Sequence, residues 1–287
     1  MQAIYDVPAP AKLNLFLHIT GRRADGYHLL ESVFTLIDWY DTLHFELRSD
    51  GQITREDLSA PLPPDDLCTR AARALQQAGG TSLGAHIGIY KRVPAQAGMG
   101  GGSSDAASTL LALNRLWGLN LPLSQLSAIG LKLGADIPFF LFGKTAFVSG
   151  IGDIIQPIDS QQLPPQATLA VVKPEAGLDT KEIFSSPFLK RDSKHATIED
   201  FAAAHYRFGS NDLQPVAQAL CPEIKKVIDF LKSKEMHARM TGSGSAVFAQ
   251  MPHTADLTDA PSAWQVKVCK TLAVHPLVGW ATETDIG

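Results

Sequence analysis

From residue 11 the chain alternates: Leu13, Leu15 and Leu17 are apolar, while Lys12, Asn14 and His18 are polar. A period of two predicts a half-buried strand with Lys12 and Asn14 on the face opposite the leucines. A turn follows in TGRRADGYH (20–28), where Gly26 permits a tight corner, and SVFTLIDWYDTLHFEL (32–47) resumes strand character. Residues 64–80 predict a helix: acidic residues at its start, helix formers within, glycine at its end. AHIGIYKRV (85–93) reads as a strand, and a helix runs from about residue 103 to Leu116, stopped by Gly118. A further helix over 123–134 ends at Gly134, and Pro138 forbids its continuation into ADIPFFLF, leaving Asp136 in its C-terminal turn. There a negative charge opposes the helix dipole, which hints at another duty for it.

Beyond residue 150 the pattern changes. The stretch 156–166, QPIDSQQLPPQ, is polar and proline-rich and predicts a connection between two domains, 1–158 and 159–287. ATLAVVKP (167–174) reads as a buried strand, 222–235 as an amphipathic helix opened by Pro222, and 238–250 as strand, glycine turn, strand. KRDSKHATIED (190–200) reads as a solvated loop. Strands and helices interleave in both halves, so the class is a two-layer mixture of α and β.

Composition narrows the function. With 287 residues, 45% hydrophobic and 19% charged, the chain has the profile of an ordinary globular protein. A net charge of −4 opposes a nucleic-acid partner. No run of apolar residues reaches membrane-spanning length, and the first fifteen residues lack the layout of a secretory signal, so a cytoplasmic setting is expected. Cys68, Cys221 and Cys269 have no metal-ligand or CxxC spacing and read as reduced thiols. His18, His44, His86, His195, His205, His237, His253 and His275 form no metal-ligand pair and read as surface or strand residues.

The concentrated chemistry lies in PAQAGMGGGSSDAA (94–107), where four of fourteen residues are glycine and a helix begins at once. Bare glycines suit a left-handed backbone or a close visitor, and free N–H groups at a helix start attract phosphate. FGKT (142–145) fails as a P-loop because Pro138 stands where glycine is required, and TGSGSAV (241–247) lacks the third glycine of a dinucleotide loop. Gly98, Gly100, Gly101 and Gly102 remain as a candidate nest of amides. Ser103 and Ser104 could cap the helix, contact phosphate or reach a magnesium ion, and Asp105 is either a favourable first-turn charge or part of the site.

This PxxxGMGGGSSDAA stretch resembles the second motif of the GHMP kinases. The first and third motifs have counterparts in PAPAKLNLFLHITGRRADGYHLLESVF and RMTGSGSAVFA, in the family's order, so the resemblance spans nearly the whole chain. It implies an α+β, two-domain GHMP kinase fold, with an N-terminal domain like ribosomal protein S5 domain 2 and a ferredoxin-like C-terminal domain. The implied cofactors are ATP and Mg2+, with ATP on Pro94, Gly98, Met99, Gly100, Gly101, Gly102, Ser103 and Ser104, and Ser104 as the metal contact. Met99 stands where leucine is commoner. The implied catalytic pair is Lys12 and Asp136, the aspartate accepting the proton of an alcohol and the lysine steadying the developing charge. The forms PAKLNL, DGYH and GADIPFF point within the family to a substrate with a cytidine diphosphate group, phosphorylated on an alcohol in non-mevalonate isoprenoid synthesis. Asn14, Tyr27, His28, Thr180, Phe184, Gly242, Ser243 and Gly244 would hold it, Tyr27 and Phe184 stacking on the pyrimidine. Alternatives are a homoserine or mevalonate type of kinase, or a non-catalytic nucleotide-binding module. Neither nucleic acid nor membrane is expected as a partner, and the chain would be a monomer or homodimer.

Overall fold

A computed structural model describes residues 1–252 and 255–283; His253 lies outside the described residues. Two very long strands open the chain, β1 (Ala3–Arg22) and β2 (His28–Arg48), paired antiparallel along almost their whole length. Four register shifts interrupt the pairing, between Ile4 and Val7, Pro10 and Lys12, Asn14 and Leu17, and Ile19 and Gly21. Such bulges bend and twist a ribbon. They let β1 feed three hydrophobic clusters in succession: Val7 and Ala9 in the first, Leu13 and Leu15 in the second, Leu17 and Ile19 in the third. The half-buried strand expected for 11–19 is therefore buried on both faces, Lys12 and Asn14 included.

The other edge of β2 is shared. After β3 (Ile53–Asp57) and α1 (Leu67–Gly79), β4 (Gly84–Tyr90) pairs with residues 42–48 of β2 and runs parallel to β3. Then come α2 (Gly101–Leu116), α3 (Leu123–Leu131), α4 (Ile137–Phe142), β5 (Ala146–Ser149) and β6 (Ile154–Pro157). β5 pairs with residues 32–34 of β2. Helices α1 to α4 pack on this sheet around Phe139, Leu110, Leu113 and Phe45. α4 corrects the sequence reading: Pro138 lies in the first turn of a new helix, where its missing N–H costs nothing, and does not end the chain's helical course.

The second half contains β7 (Thr168–Lys173), α5 (Thr180–Ser185), α6 (Ile198–Ala204), a 3-10 turn at His205–Arg207, α7 (Gln214–Leu220), α8 (Pro222–Ser233), β8 (Arg239–Met240), β9 (Val247–Gln250) and β10 (Gln265–Leu272). Its strands lie in the antiparallel order β10-β7-β9-β8, the fourth beside the first and the third beside the second, as in a ferredoxin-like sheet. β7 is buried on both sides, with Leu169 and Val171 facing one cluster and Ala170 and Val172 the next. β10 also pairs with β2 at Ile37 and Leu36, so the two sheets are hydrogen-bonded into one.

Two further sequence expectations are corrected. Segment 190–200 is no free loop: Ser193 is buried and donates to Asp212, Arg191 reaches His28, and α6 begins at Ile198. His275 is no surface residue either. It is buried, Nδ1 accepts from Leu277, Nε2 has no partner, and burial pushes its imidazole down to about 4.

Candidate active site

A cleft of about 670 Å³ runs between the two halves. Its floor is the glycine loop. Gly98 and Gly100 are left-handed, with φ of 70° and 68°, which glycine adopts without strain. A side chain would not fit at either: a Cβ on Gly98 would sit 2.2 Å from the Thr241 carbonyl oxygen, and one on Gly100 2.9 Å from the Phe140 ring. Among the described residues, the N–H groups of Gly98 to Ser103 donate to no protein acceptor, and the first bonded amide is Ser104, to Gly100 O at 2.9 Å. Six bare amides at the start of the sixteen-residue α2, aided by its dipole, make an anion cradle.

The loop's side chains lie differently from the sequence expectation. Met99 is buried in the core and offers only its backbone. Ser104 is fully buried, and its hydroxyl donates to Pro10 O at 2.7 Å, so it is turned from both phosphate and metal; Ser103, on the cleft wall, keeps its hydroxyl free. Asp105 is buried against Lys91 at 2.5 Å, and Lys91 also pairs with buried Asp41. Burial, reinforced by the Asp41 charge and opposed by Lys91, pushes the Asp105 carboxyl up to about 8. Asp41 also accepts from the backbone N–H of Arg92 and Val93, so this trio ties the end of β4 to the start of α2.

Lys12 and Asp136 meet across the cleft, Nζ to Oδ2 3.7 Å. Lys12 is 4% exposed; its ammonium donates to Asn14 Oδ1 at 2.5 Å and lies 4.4 Å from the centre of the Phe34 ring. Burial lowers its pKa, against the pull of Asp136. The side chain of Asp136 is 32% exposed, open to an incoming molecule. It stands at the N-cap of α4 rather than in the last turn of α3, so its charge agrees with the dipole beside it, and the mismatch inferred from sequence is absent.

A residue missed in the sequence joins this pair to the third motif. Thr241, buried in the TGSGSA turn, accepts from the Asn14 backbone N–H at 2.9 Å, while Asn14 Nδ2 donates to Ser32. The turn also docks on the glycine loop, with Ser245 N donating to Gln96 O and Ala246 N to Ala97 O. Gly242, Ser243 and Gly244 line the cleft, as does Thr180, whose hydroxyl lies 2.7 Å from that of Ser243.

At the far end Phe184 lines the cleft, with the His28 ring tilted 33° against it at 5.1 Å. Tyr27 is 60% exposed on the preceding corner, where Gly26 has φ of 92°. His28 Nε2 accepts from Arg191 Nε, and burial, followed by the charges of Arg191 and Arg22, lowers the pKa of the ring. Of the expected residues, Ser104, Tyr27 and His28 stand outside the cleft wall, Ser104 buried behind it and the other two at the far end beside Phe184; Pro94 lies on it.

An amide cradle facing a lysine–aspartate pair, built on an S5-like sheet joined to a ferredoxin-like one, defines a class of small-molecule phosphotransferase. The model for the GHMP kinase N-terminal domain matches residues 66–144 and that for the C-terminal domain residues 189–269. The chain is 68% identical over 280 residues to a 4-diphosphocytidyl-2-C-methyl-D-erythritol kinase of Acidovorax sp. (strain JS42), covering 98% of this chain and 99% of that one. It is 67% identical over 285 residues to the kinase of the same name from Paracidovorax citrulli (strain AAC00-1), covering 99% and 100%. A crystal structure of 4-(cytidine 5'-diphospho)-2C-methyl-D-erythritol kinase superposes with a TM-score of 0.76 at 29% identity, over 92% of this chain and 98% of that chain. Homoserine kinase from Cytophaga hutchinsonii, at 14% identity and TM-score 0.71 over 96% of each chain, shares the fold. The chain belongs to the GHMP kinase family.

Proposed function

We propose that the protein transfers the γ-phosphoryl group of ATP to the 2-hydroxyl of 4-diphosphocytidyl-2-C-methyl-D-erythritol, a step of non-mevalonate isoprenoid synthesis. Full-length identity of 67–68% to kinases of that name supports the substrate. The observation that carries the chemistry is the Lys12–Asp136 pair at 3.7 Å in the same cleft as six unpaired amides. Binding a nucleotide requires the amides alone; the acid–base pair is needed only where a proton moves, which separates an enzyme from a nucleotide-binding module.

Phosphoryl transfer demands positioning and charge neutralisation more than covalent help. The amides of Gly98 to Ser103 hold the phosphates, and Pro94 and Lys91 bound the side on which the nucleoside enters. Asp136 takes the proton from the acceptor hydroxyl as that oxygen attacks the γ-phosphorus and the bond to the β,γ-bridging oxygen breaks. The Lys12 ammonium, oriented by Asn14 and Phe34, stabilises charge on the attacking oxygen and the phosphoryl group. Tyr27 and Phe184 flank the pyrimidine, His28 meets its edge, and Thr180 with the Gly242–Gly244 turn borders the sugar-alcohol. Mg2+ ordinarily keeps several waters and binds through few protein oxygens plus substrate phosphates. The described residues contain no group of three or more metal-ligating side chains, and the free hydroxyl of Ser103 beside the cradle fits that role. The ion, carried on the nucleotide, supplies charge neutralisation.

ADP release measured with a panel of acceptors tests this reading. Turnover is expected with the cytidyl substrate and not with homoserine or mevalonate; preference for either of those, or release with none, overturns it.

A further inference from the structure

The sequence left residues 190–200 without a purpose, yet Arg191 of that segment touches His28. Four of its five guanidinium N–H groups are directed: Nη1 donates to Leu189 O at 2.9 Å, and Nη2 to Ser186 O at 2.8 Å and Phe184 O at 3.2 Å. The fourth, Nε–H, points at His28 Nε2, 2.9 Å away. Arginine cannot give up its proton and offers no acceptor, so Nε2 must carry a lone pair. Burial and the two neighbouring guanidiniums keep the ring in its neutral form at pH 7. A neutral imidazole with a bare Nε2 carries its hydrogen on Nδ1. Among the described residues Nδ1 has no hydrogen-bond partner, and it is not sealed from solvent. It is a free donor on a ring that already leans on Phe184.

We infer that Arg191 is a specificity-determining residue: by locking His28 as the Nδ1–H tautomer it makes the site select cytosine over uracil. This rests on the functional reading above, in which His28 meets the pyrimidine edge. Cytosine N3 is an acceptor and pairs with the Nδ1 donor. Uracil N3 carries hydrogen, so two N–H groups confront each other and the donor, once the base covers it, stays unpaired. Unpaired polar groups are what give hydrogen-bonding sites their discrimination. The opposite tautomer would present a lone pair at Nδ1 and reverse the preference. Arg191 acts through His28 and does not touch the base; the same side chain fixes the Phe184 carbonyl, so one residue sets both the stacking wall and the edge reader.

Two measurements on the intact enzyme test this. In 15N-histidine spectra, with His28 assigned through the signal lost in His28→Asn, the wild type should show a protonated Nδ1 and a bare Nε2; a protonated Nε2 overturns the proposal whether or not any Arg191 variant folds. The second is kcat/KM for the cytidyl substrate against its uridyl counterpart. The wild type should prefer cytidyl by roughly ten- to a hundredfold or more, the scale of one lost or opposed hydrogen bond. Arg191→Leu should shrink that ratio at least about tenfold, acting on KM for the cytidyl substrate rather than on kcat. In a His28→Asn background, where the amide can present either N–H or C=O, Arg191→Leu should leave the ratio unchanged. Wild-type turnover with a ratio that Arg191→Leu does not alter overturns the lock alone. Failure of the wild type to use the cytidyl substrate overturns the functional reading and the specificity claim together.

Discussion

Replacing Asp136 by asparagine keeps the size and shape of the side chain and removes only its charge and basicity. The structure separates the two consequences. For stability, Lys12 loses an ion-pair partner at 3.7 Å but keeps Asn14 Oδ1 at 2.5 Å and the Phe34 face, and Asp136 itself is about one-third exposed. A partly solvated pair of this kind contributes about 1 kcal/mol, a loss that a domain stable by ~5–15 kcal/mol tolerates without populating its unfolded state. For catalysis, general-base assistance contributes ~10²–10⁴-fold, or about 2.7–5.4 kcal/mol of barrier at 1.36 kcal/mol per tenfold. The rate should therefore fall at least about a hundredfold while the fold is almost unaffected. The assay is kcat by coupled ADP release at saturating substrates, alongside nucleotide affinity by calorimetry with a non-hydrolysable analogue. Affinity should stay within about threefold, because the amide cradle does not involve Asp136. Lys12→Met should fall to a similar degree, and the double variant little further, since residues acting as one unit are not additive. A near-normal kcat in Asp136→Asn would falsify the assignment of the base.

Gly98→Ala forces a Cβ to within 2.2 Å of a backbone oxygen at a left-handed φ; a stability loss of at least ~2 kcal/mol and a raised KM for ATP are expected, readable by thermal melts and kinetics. Ser104→Ala should cost ~1–3 kcal/mol by leaving the Pro10 carbonyl unpaired, with the Mg2+ dependence of kcat unchanged; a shifted Mg2+ requirement would restore Ser104 as a metal contact. Tyr27→Ala should raise KM for the cytidyl substrate roughly five- to a hundredfold, the range for one lost stacking partner, with little change in kcat. Burial pushes the folded pKa of His275 down to about 4, below the ordinary histidine value of 6.5, so the unfolded chain binds the extra proton first. Its contribution is intact above pH 6.5 and is lost as pH falls towards 4, by up to ~3 kcal/mol; urea melts of His275→Leu should show a flatter acid limb over that window.

Local signals made much of this molecule readable. The two-residue period at 11–19 and the glycine run at 94–107 each report a backbone requirement that neighbouring residues satisfy by themselves. What escaped was set by distance along the chain. Arg191 meets His28 across 163 positions, and Thr241 meets Asn14 across 227, with nothing in either neighbourhood to announce the contact. Asp136 was assigned to the wrong helix because a proline ends one helix and opens another with the same letter; only the backbone after it decides. Ser104 carries the right side chain for a phosphate or metal contact, but its place on α2 turns it towards β1. His275 looked ordinary because burial is a property of the packing around residue 275 and not of its flanking sequence.

The docking of the TGSGSA turn onto the glycine loop restricts how this cleft can breathe. With Ser245 and Ala246 bonded to Gln96 and Ala97, and Gly98 in van der Waals contact with the turn, the glycine loop that floors the cleft and the ledge formed by the turn are hydrogen-bonded into one block. The start of α5 is tied to the same block, through Thr180 against Ser243 and Ser245 Oγ donating to Ala176 O. A lesion on the C-terminal ledge will accordingly be felt first as a nucleotide defect.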